Sequence, residues 1–492
     1  MESIAASAAS PEAAVGLSAE PRRLTLDRVW ALLPILVPAL VSMMSRMVAI
    51  DLAYHVRAGE LILHSHHIPR VDTFTFTIPG TSWFDQQWGA QILLALLHRA
   101  GGWATVSFAR AALIASTFGV VYLACRARGA APREASLLSL LGFVVSLQAL
   151  AMRPQLFAIV LFAISLWVLA TRDRSRGRLW LLPVVALVWA NLHGSFILAP
   201  LLVGLAWIED LLAGDTKEAR RLIVVAAATL VATFVSPFGP LVWKYAYQLT
   251  TNPMIRNNVT EWAPVTVRSF GGAAFFLSGI GVAVLLARRS RRTSWADLLW
   301  LTVFFLLALP AVRGIVWWSL VAPVVVAGNL SPAQPSGRES AAARAGSPAL
   351  NRALVGVLVA ALLVALPWWR AGTTTAMLSQ APVGLSNATA RFVAPGTRLF
   401  VSEPWASWFE YALPSIPVFT DPRIEIFPAA VWNDYSEIRV GGARWEAILD
   451  RWRVRAVVVD RDDFSRLLTV MQGSSAWKAV YSDPDGVLFV RT

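Results

Sequence analysis

Long uncharged runs of apolar residues alternate with short polar segments along most of the chain. About 20 apolar residues in a helix span the hydrocarbon core of a bilayer, so runs of this kind are typical of membrane-crossing helices. Eleven runs can be distinguished: 29–45, 111–125, 135–152, 154–171, 179–192, 194–208, 222–243, 269–287, 298–312, 314–337 and 353–369. Several are too short and must extend past a charged residue, namely Arg46, Arg110 or Asp297. The pattern predicts a polytopic α-helical membrane protein with about eleven transmembrane helices.

The distribution of lysine and arginine predicts the orientation. If the N-terminus is cytoplasmic and the spans alternate, the cytoplasmic segments hold 20 Lys and Arg residues and the opposite loops hold 8. An excess of positive charge in short cytoplasmic loops is the usual arrangement. The resulting division is a disordered cytoplasmic N-terminus at 1–27, a transmembrane domain at 28–369 and an extracytoplasmic domain at 370–492.

The first outer loop, 51–99, is large and mixes aromatic residues with charges. Phe74, Phe76, Trp83, Phe84 and Trp88 give it the composition of an aromatic interfacial belt. Its apolar stretch 88–97 is too short to cross the membrane and predicts an interfacial helix. We expect the loop to form interfacial helices that cap a cavity.

From residue 370 onward the composition becomes that of a globular domain. Apolar β-rich runs occur at 398–402, 416–420 and 455–459, and a hairpin is predicted within 476–490, around its Ser-Asp-Pro-Asp-Gly turn. Helical stretches are predicted between them, near 404–412, 429–439, 443–452 and 463–471. These elements predict one small α/β domain.

The composition excludes several classes of protein. Hydrophobic residues make up 56% of the 492 residues and charged residues 15%, whereas soluble enzymes carry about 25% charge. The single Cys125 excludes an internal disulfide and a zinc site built on two or more cysteines. The formal net charge of +13 is accounted for by arginines beside the spans. No basic stretch has the interleaved aromatics of a single-strand binder, so we expect the bilayer and no nucleic acid as a partner.

The candidate chemistry lies on the predicted outer side, where all six histidines are found. Asp51 follows closely on the first span, and His55 lies one helical turn later on the same face. An acid at the membrane boundary that loses hydration has a raised pKa, toward the range of a general base. The alternative is a solvated acid that only begins a loop or caps a helix.

Three further outer residues are candidates for binding an anion. Arg153, His193 and Arg313 lie at the outer ends of three different spans. Charges placed near a membrane are costly and often functional, and arginine binds phosphate oxygens in a bidentate manner. The alternatives are that the arginines reach the lipid headgroups and that His193 caps a helix end.

Short motifs along most of the chain resemble the GT-C superfamily of integral membrane glycosyltransferases. An acid directly after the first span opens a large outer loop, as in that superfamily. The narrower likeness is to the bacterial dolichyl-phosphate-mannose-protein mannosyltransferase-like branch. It rests on Asp51-x3-His55-x3-Gly59, Ile68-Pro69-x2-Asp72-x-Phe74, Trp83, Trp88, Arg153-Pro154-Gln155, Trp189-Ala-Asn191-Leu-His193-Gly194, Pro237-Phe-Gly239, Glu261-Trp262 and Val418-Phe-Thr-Asp421-Pro-Arg423.

The resemblance implies a catalytic role for the acid of the first loop. Asp51 is then the base, with His55 and Asp72 beside it, and a polyprenyl-phosphate sugar is the donor. Gln87 stands where some relatives have a second acid, and Asp85 could replace it. The other alternative is a site that works with Asp51 and Asp72 alone, so Gln87 counts against a mechanism with two acids or a metal. Separately, the i,i+4 spacing of Asp51 and His55 makes them, with Glu261, candidate ligands of a divalent ion.

Together these features predict an inverting glycosyltransferase that acts at the outer face of a bacterial inner membrane. The acceptor is a lipid, a glycan or a protein. Arg153, His193, Arg313, Glu261 and Asp85 are the predicted substrate-binding residues, and we expect base and cations to line opposite walls of one cavity. The alternatives are a polymerase or ligase of lipid-linked glycans, a transporter, and a non-catalytic subunit of the same fold.

Overall fold

The computed structural model of the chain describes residues 24–288, 293–330, 346–370 and 374–492, without the side chains of 257 and 258. The predicted disordered N-terminus lies outside these residues up to 23. The first helix already begins at Leu26, where the Thr25 hydroxyl accepts from the Arg28 N–H.

Helices dominate the first three quarters of the chain. In order they are α1 Leu26–Met44, α2 Ala49–Ser65, α3 Trp88–Ala127, α4 Pro132–Ser146, α5 Pro154–Ala170, α6 Leu181–Ala190, α7 Leu198–Leu212, α8 Thr216–Ala232, α9 Leu241–Thr251, α10 Pro253–Asn258, α11 Phe270–Arg288, α12 Trp295–Ala308, α13 Ile315–Asn329 and α14 Pro348–Val364. Between α1 and α2 lies the two-residue strand β1, Met47–Val48.

Each of the eleven predicted runs overlaps one of these helices. Within the described residues, six helical segments are long and apolar enough to cross a membrane: Leu26–Met44, Trp88–Ala127, Gly194–Leu212, Phe270–Arg288, Val312–Asn329 and Pro348–Arg370. The chain is therefore a multi-pass membrane protein. The number eleven stays a prediction, because the remaining apolar helices are shorter.

Proline and glycine residues interrupt the helices at two places. The run 222–243 is not one helix, because Pro237 and Pro240 lack an N–H and Gly239 has a φ of 55°, so a turn separates α8 from α9. The stretch 88–97 is helical as predicted. It forms the start of α3, which is interrupted at Gly101 and Gly102; the latter has φ 63° and ψ −157°, a conformation that only glycine adopts readily.

Two charges predicted inside spans are satisfied by polar partners. Arg110 is buried and donates to the carbonyls of Ser42, Ser45 (2.7 Å) and Arg46 (3.2 Å), so it caps the carboxyl end of α1. Asp297 caps the start of α12 and accepts from Arg128 at 3.1 Å. Neither charge faces lipid without a partner.

The C-terminal α/β domain has most of the predicted elements, but the run 416–420 forms only isolated bridges at Val418 and no strand. Its helices are α15 Thr374–Met377, α16 Val383–Phe392, α17 Glu403–Ala412, α18 Ala429–Arg439, α19 Trp445–Arg451 and α20 Ser465–Gln472, and its strands are β2 Leu378–Ser379, β3 Leu399–Phe400, β4 Ala456–Asp460, β5 Trp477–Ser482 and β6 Gly486–Arg491. One sheet has the order β3-β4-β6-β5, in which β3 is parallel to β4 and the predicted β5–β6 hairpin is antiparallel. The helix α16 was not predicted.

The first loop packs against this domain. As expected, Phe74, Phe76 and Trp83 are buried, so 51–99 is not a free loop. Their surroundings are not those of an interfacial belt, however, since the Phe76 ring lies 5.6 Å from that of Phe419 in the C-terminal domain. The same composition here forms a core between loop and domain.

Candidate active site

A polar chamber lies where the first loop, the ends of several helices and the C-terminal domain meet. It has a volume of about 130 Å³. Polar side chains make up most of its wall: Asp51, Tyr54, His55, Gln87, Arg153, Gln155, His193, Tyr245, Glu261, Arg313, Arg423 and Glu425. Six of the eight predicted site residues are therefore brought together, and Asp72 and Asp85 lie outside the chamber wall.

Asp51 lies in the first turn of α2, and Arg153 lies directly before α5, whose first residue is Pro154. One guanidinium nitrogen, Arg153 Nη1, is 3.4 Å from Asp51 Oδ2 and 2.7 Å from the carboxylate of Glu261. The expected placement of base and cations on opposite walls is wrong, because Arg153 pairs with both acids. A cation that has left water is stabilised most by direct contact with carboxylates.

The pairing leaves Asp51 partly available. Burial raises the pKa of Asp51, while the nearby charge of Arg153 lowers it and that of Glu261 raises it again. The hydrogen bond from Arg153 goes to Oδ2, and nothing in the described part of the chain bonds to Oδ1. Asp51 therefore keeps one oxygen that can accept a proton.

His55 reaches Asp85 through a glutamine. Gln91 Nε2 donates to Asp85 Oδ1 at 2.7 Å and lies 3.4 Å from His55 Nδ1. Burial, together with the charges of Arg153 and Arg423, lowers the pKa of His55 to about 3, so its ring is neutral at pH 7. Asp85 is buried and does not line the chamber. It therefore contacts His55 through Gln91 and does not face the substrate cavity as predicted.

His193 precedes a short 3₁₀ helix and accepts at Nδ1 from the backbone N–H of Ser195, at 3.1 Å. His193 therefore caps a helix end, which was the alternative interpretation, and it also lines the chamber. Because Nδ1 accepts this bond, a neutral ring carries its proton on Nε2. His193 can then cap the helix and still donate a hydrogen bond.

Arg313 lies at the boundary between the chamber and a second cavity of about 440 Å³, which we call the apolar groove. The two share Gln87, His193, Leu249, Trp262 and Arg313. The groove's other walls are mainly apolar, with Ile197, Leu198, Ala246, Leu307, Pro310 and Trp317. The guanidinium carbon of Arg313 lies 4.6 Å from the ring centre of Trp262, and no carboxylate among the described residues pairs with it.

Asp72 does not reach the chamber. It is buried and pairs with Arg423, and it also accepts from the Thr75 hydroxyl at 2.8 Å and the Thr75 N–H at 3.1 Å. Arg423 pairs with Asp421 as well and lies over the ring of Trp83 at 4.5 Å. The predicted catalytic role of Asp72 gives way to a structural one, in which it fixes the C-terminal segment against the first loop.

Sequence reasoning missed the residues that the C-terminal domain and α9 contribute. Glu425 lines the chamber, and its Oε1 accepts from the Tyr245 hydroxyl at 3.1 Å. Burial raises the pKa of Glu425, while a backbone hydrogen bond and the one from Tyr245 lower it. The available signal is the charged run Asp421-Pro-Arg423-Ile-Glu425 directly after a β-rich segment. In the sequence this run contributes only to the family resemblance and does not by itself indicate a site.

The donor set does not fit a divalent metal. Asp51 and Glu261 could supply oxygen ligands, but the Arg153 guanidinium lies between them and already provides the positive charge. One nitrogen of His55, the third expected ligand, already faces Gln91 at 3.4 Å. Among the described residues no group of three or more His, Cys, Asp or Glu could hold a metal ion.

Among known proteins, the chain is similar to solved structures of the same fold. No protein-family model and no curated protein matches the sequence. The chain is similar to an oligosaccharyltransferase from Archaeoglobus fulgidus in the apo form, with a TM-score of 0.59 and 14% identity over 94% of this chain and 75% of the other.

It is also similar to ArnT from Cupriavidus metallidurans. The apo structure gives a TM-score of 0.53 and 16% identity over 93% of this chain and 96% of the other. The structure bound to undecaprenyl phosphate gives the same TM-score and identity, over 94% and 98%. The narrower likeness to the mannosyltransferase-like branch stays a prediction. This chain therefore shares its fold with the oligosaccharyltransferase and with ArnT, as expected from its resemblance to the GT-C superfamily.

Proposed function

We propose that the protein is a membrane glycosyltransferase that moves a sugar from a polyprenyl-phosphate-linked donor to an acceptor lipid, glycan or protein. The observation that carries the proposal is the junction at Arg313 of a polar chamber holding Asp51 with an apolar groove. A donor that joins a sugar, a phosphate and an isoprenoid chain needs a polar space for the sugar, a cation for the phosphate and an apolar surface for the chain. The chamber, Arg313 and the groove provide them in this order.

The donor phosphate is assigned to the boundary between the two cavities. Arg313 has no carboxylate partner in the described part of the chain, and His193 beside it presents Nε2–H. Charge-assisted hydrogen bonds from such groups bind phosphate strongly where water is excluded. The isoprenoid chain then lies in the apolar groove. The undecaprenyl phosphate bound to ArnT, a protein of the same fold, supports this class of ligand.

In the reaction, Asp51 takes the proton from an acceptor hydroxyl. The acceptor oxygen forms a bond to the anomeric carbon of the sugar while the bond from that carbon to the phosphate oxygen breaks. Attack from the side opposite the phosphate inverts the configuration. The phosphate leaves with the electron pair, and Arg313, His193 and Arg153 stabilise its charge.

The positive charge in the chamber comes from arginine, so transfer needs no divalent ion. Arg153 occupies the position between Asp51 and Glu261 that a metal would need. We expect the transfer rate to be unchanged by EDTA. A large loss that Mg²⁺ or Mn²⁺ restores would contradict this.

The proposed location is a bacterial inner membrane with the chamber and the C-terminal domain outside the cytoplasm. The excess of Lys and Arg in the opposite loops supports this orientation. Reporter fusions at Gly214 and at Thr492 should report opposite compartments.

The function is tested by transfer assays on the full chain in lipid nanodiscs, with a panel of undecaprenyl-phosphate sugars and the lipid extract of a deletion strain as acceptor. Asp51→Asn keeps the size of the side chain and removes the proton acceptor, so the rate should fall about 10²–10⁴-fold while donor binding persists. Asp434→Asn, in the C-terminal domain, is the control and should stay active.

Other outcomes point to the alternatives. Normal turnover in Asp51→Asn favours a polymerase or ligase with a different base. Sugar movement across sealed vesicles without transfer indicates a transporter. Loss of a glycolipid on deletion that Asp51→Asn fully restores indicates a non-catalytic subunit.

A further inference from the structure

The start of α2, which carries Asp51, is held across its first two turns by a hydroxyl group from the C-terminal domain. Ser407, in α17, accepts at Oγ from the Tyr54 N–H at 2.8 Å and donates to the Ala49 carbonyl at 3.2 Å. Ser407 is 358 residues away from Ala49 in the sequence and is fully buried. One side chain thus connects two backbone groups that flank Asp51.

The first turn of α2 has little stabilisation of its own. The residue before α2 is Val48, whose side chain makes no capping hydrogen bond. The N–H groups of a first helical turn have no partner within the helix, and valine cannot supply the oxygen that serine, threonine or aspartate would. The position of Asp51 therefore depends on contacts from elsewhere in the chain.

Strand pairing to the same C-terminal segment supports the dependence. β1, directly before α2, pairs in parallel with β2, with Met47 opposite Leu378 and Val48 opposite Ser379. The Ser379 hydroxyl also donates to the Met47 carbonyl at 3.2 Å. The entry to α2 is thus fixed by β2 and its first two turns by Ser407.

We propose that Ser407 is a positioning residue for Asp51, which sets the direction of the carboxylate toward the acceptor hydroxyl. This inference rests on the proposed function of Asp51 as the base. Ser407 does not line the chamber and touches no substrate, so its effect reaches the reaction only through α2. The C-terminal domain then acts as a part of the catalytic unit.

A matched serine in the same domain provides the control. Ser386 is buried, accepts at Oγ from the Trp408 indole N–H at 3.1 Å and donates to the Val383 carbonyl at 3.1 Å. Ser386→Ala therefore removes a buried hydroxyl with one donor and one acceptor partner, as Ser407→Ala does. Only Ser407 bonds to α2.

The experiment compares both variants with the wild type as full chains in nanodiscs. Misplacement of a catalytic group by about 1 Å costs roughly 10²-fold, so Ser407→Ala should lower kcat about 10- to 100-fold with little change in the donor KM. Amide hydrogen exchange in a peptide covering Ala49–Tyr54 should be faster in Ser407→Ala than in wild type. Ser386→Ala should change neither quantity.

Two results would overturn the inference. One is a kcat in Ser407→Ala equal to that of Ser386→Ala, and the other is unchanged exchange protection of Ala49–Tyr54. If the wild type is inactive with every donor, the proposed function fails, and the exchange measurement still decides whether Ser407 holds the turn.

Discussion

Arg153 places one guanidinium nitrogen 3.4 Å from the carboxylate of Asp51. The same nitrogen donates to Glu261 at 2.7 Å, so the closer contact is with Glu261 and the longer one with the proposed base. The pair lies in a chamber of limited volume, where the charge on one residue sets the pKa of the other.

Replacing this arginine should shift the dependence of the rate on pH. Arg153 lowers the pKa of Asp51 against the effect of burial, so in Arg153→Gln that pKa rises further. Because only the ionised carboxylate accepts a proton, the rising limb of the kcat profile should move to higher pH. Arg153→Lys keeps the charge and should shift the limb less. An Arg153→Gln profile that coincides with the wild type would show that the two groups are uncoupled.

Arg313→Gln should weaken donor binding. Hydrogen bonds to a charged phosphate contribute about 1.5–3 kcal/mol, which corresponds to roughly 10- to 100-fold in Kd. The measurement is the Kd of undecaprenyl phosphate by titration in nanodiscs. Arg70 is the matched control, since it also stacks on an aromatic ring, that of Phe238 at 4.3 Å, but lines neither cavity. Equal losses in Arg70→Gln and Arg313→Gln would contradict the phosphate site.

Arg423→Met should destabilise the protein by about 3–5 kcal/mol, because Asp72 and Asp421 would stay buried without a cation. The expected result is a clear fall in Tm, part of which the addition of Asp72→Asn restores. The exposed arginine of the Arg439–Asp463 pair, at 4.0 Å, is the control, and Arg439→Met should leave the Tm nearly unchanged. A Tm for Arg423→Met that equals the control value would contradict the buried network.

Asp85 should make stability fall with rising pH. Burial raises the pKa of Asp85 to about 7, although the hydrogen bond from Gln91 and the charge of Arg423 act in the opposite direction. A carboxyl group with a raised pKa stabilises the fold below its ordinary pKa of 3.8, and this contribution is lost as the pH rises through about 7. In Asp85→Asn the fall in Tm between pH 4 and 7 should be smaller than in wild type. An equal fall in both proteins would show that a group other than Asp85 causes the pH dependence.

The sequence allowed prediction of the apolar helices and of the C-terminal α/β domain, since hydrophobic runs and turn residues are local signals. The hairpin within 476–490 is an example, with β5 and β6 on either side of its Asp-Pro-Asp turn. The number of membrane-spanning helices could not be predicted in the same way. A short apolar helix such as α6, with 10 residues, does not show by its composition whether it crosses the membrane.

The site was predictable only in part. Asp51, Arg153 and Arg313 were found because charges beside apolar runs are rare and costly. Their pairing could not be predicted, since it depends on contacts across the fold. Asp72 is also an acid of the first outer loop, yet a partner 351 residues away, Arg423, holds it outside the chamber.

The pairing of β1 with β2 sets an order of events in biosynthesis. Strand β1 precedes α2 near residue 48, but its partner Leu378–Ser379 is translated only after the apolar helices up to α14. A nascent chain that has inserted these helices therefore still lacks the support of the turn that carries Asp51. If Asp51 is the base, as proposed, activity requires that residues 374–492 have been synthesised and have folded against the first loop.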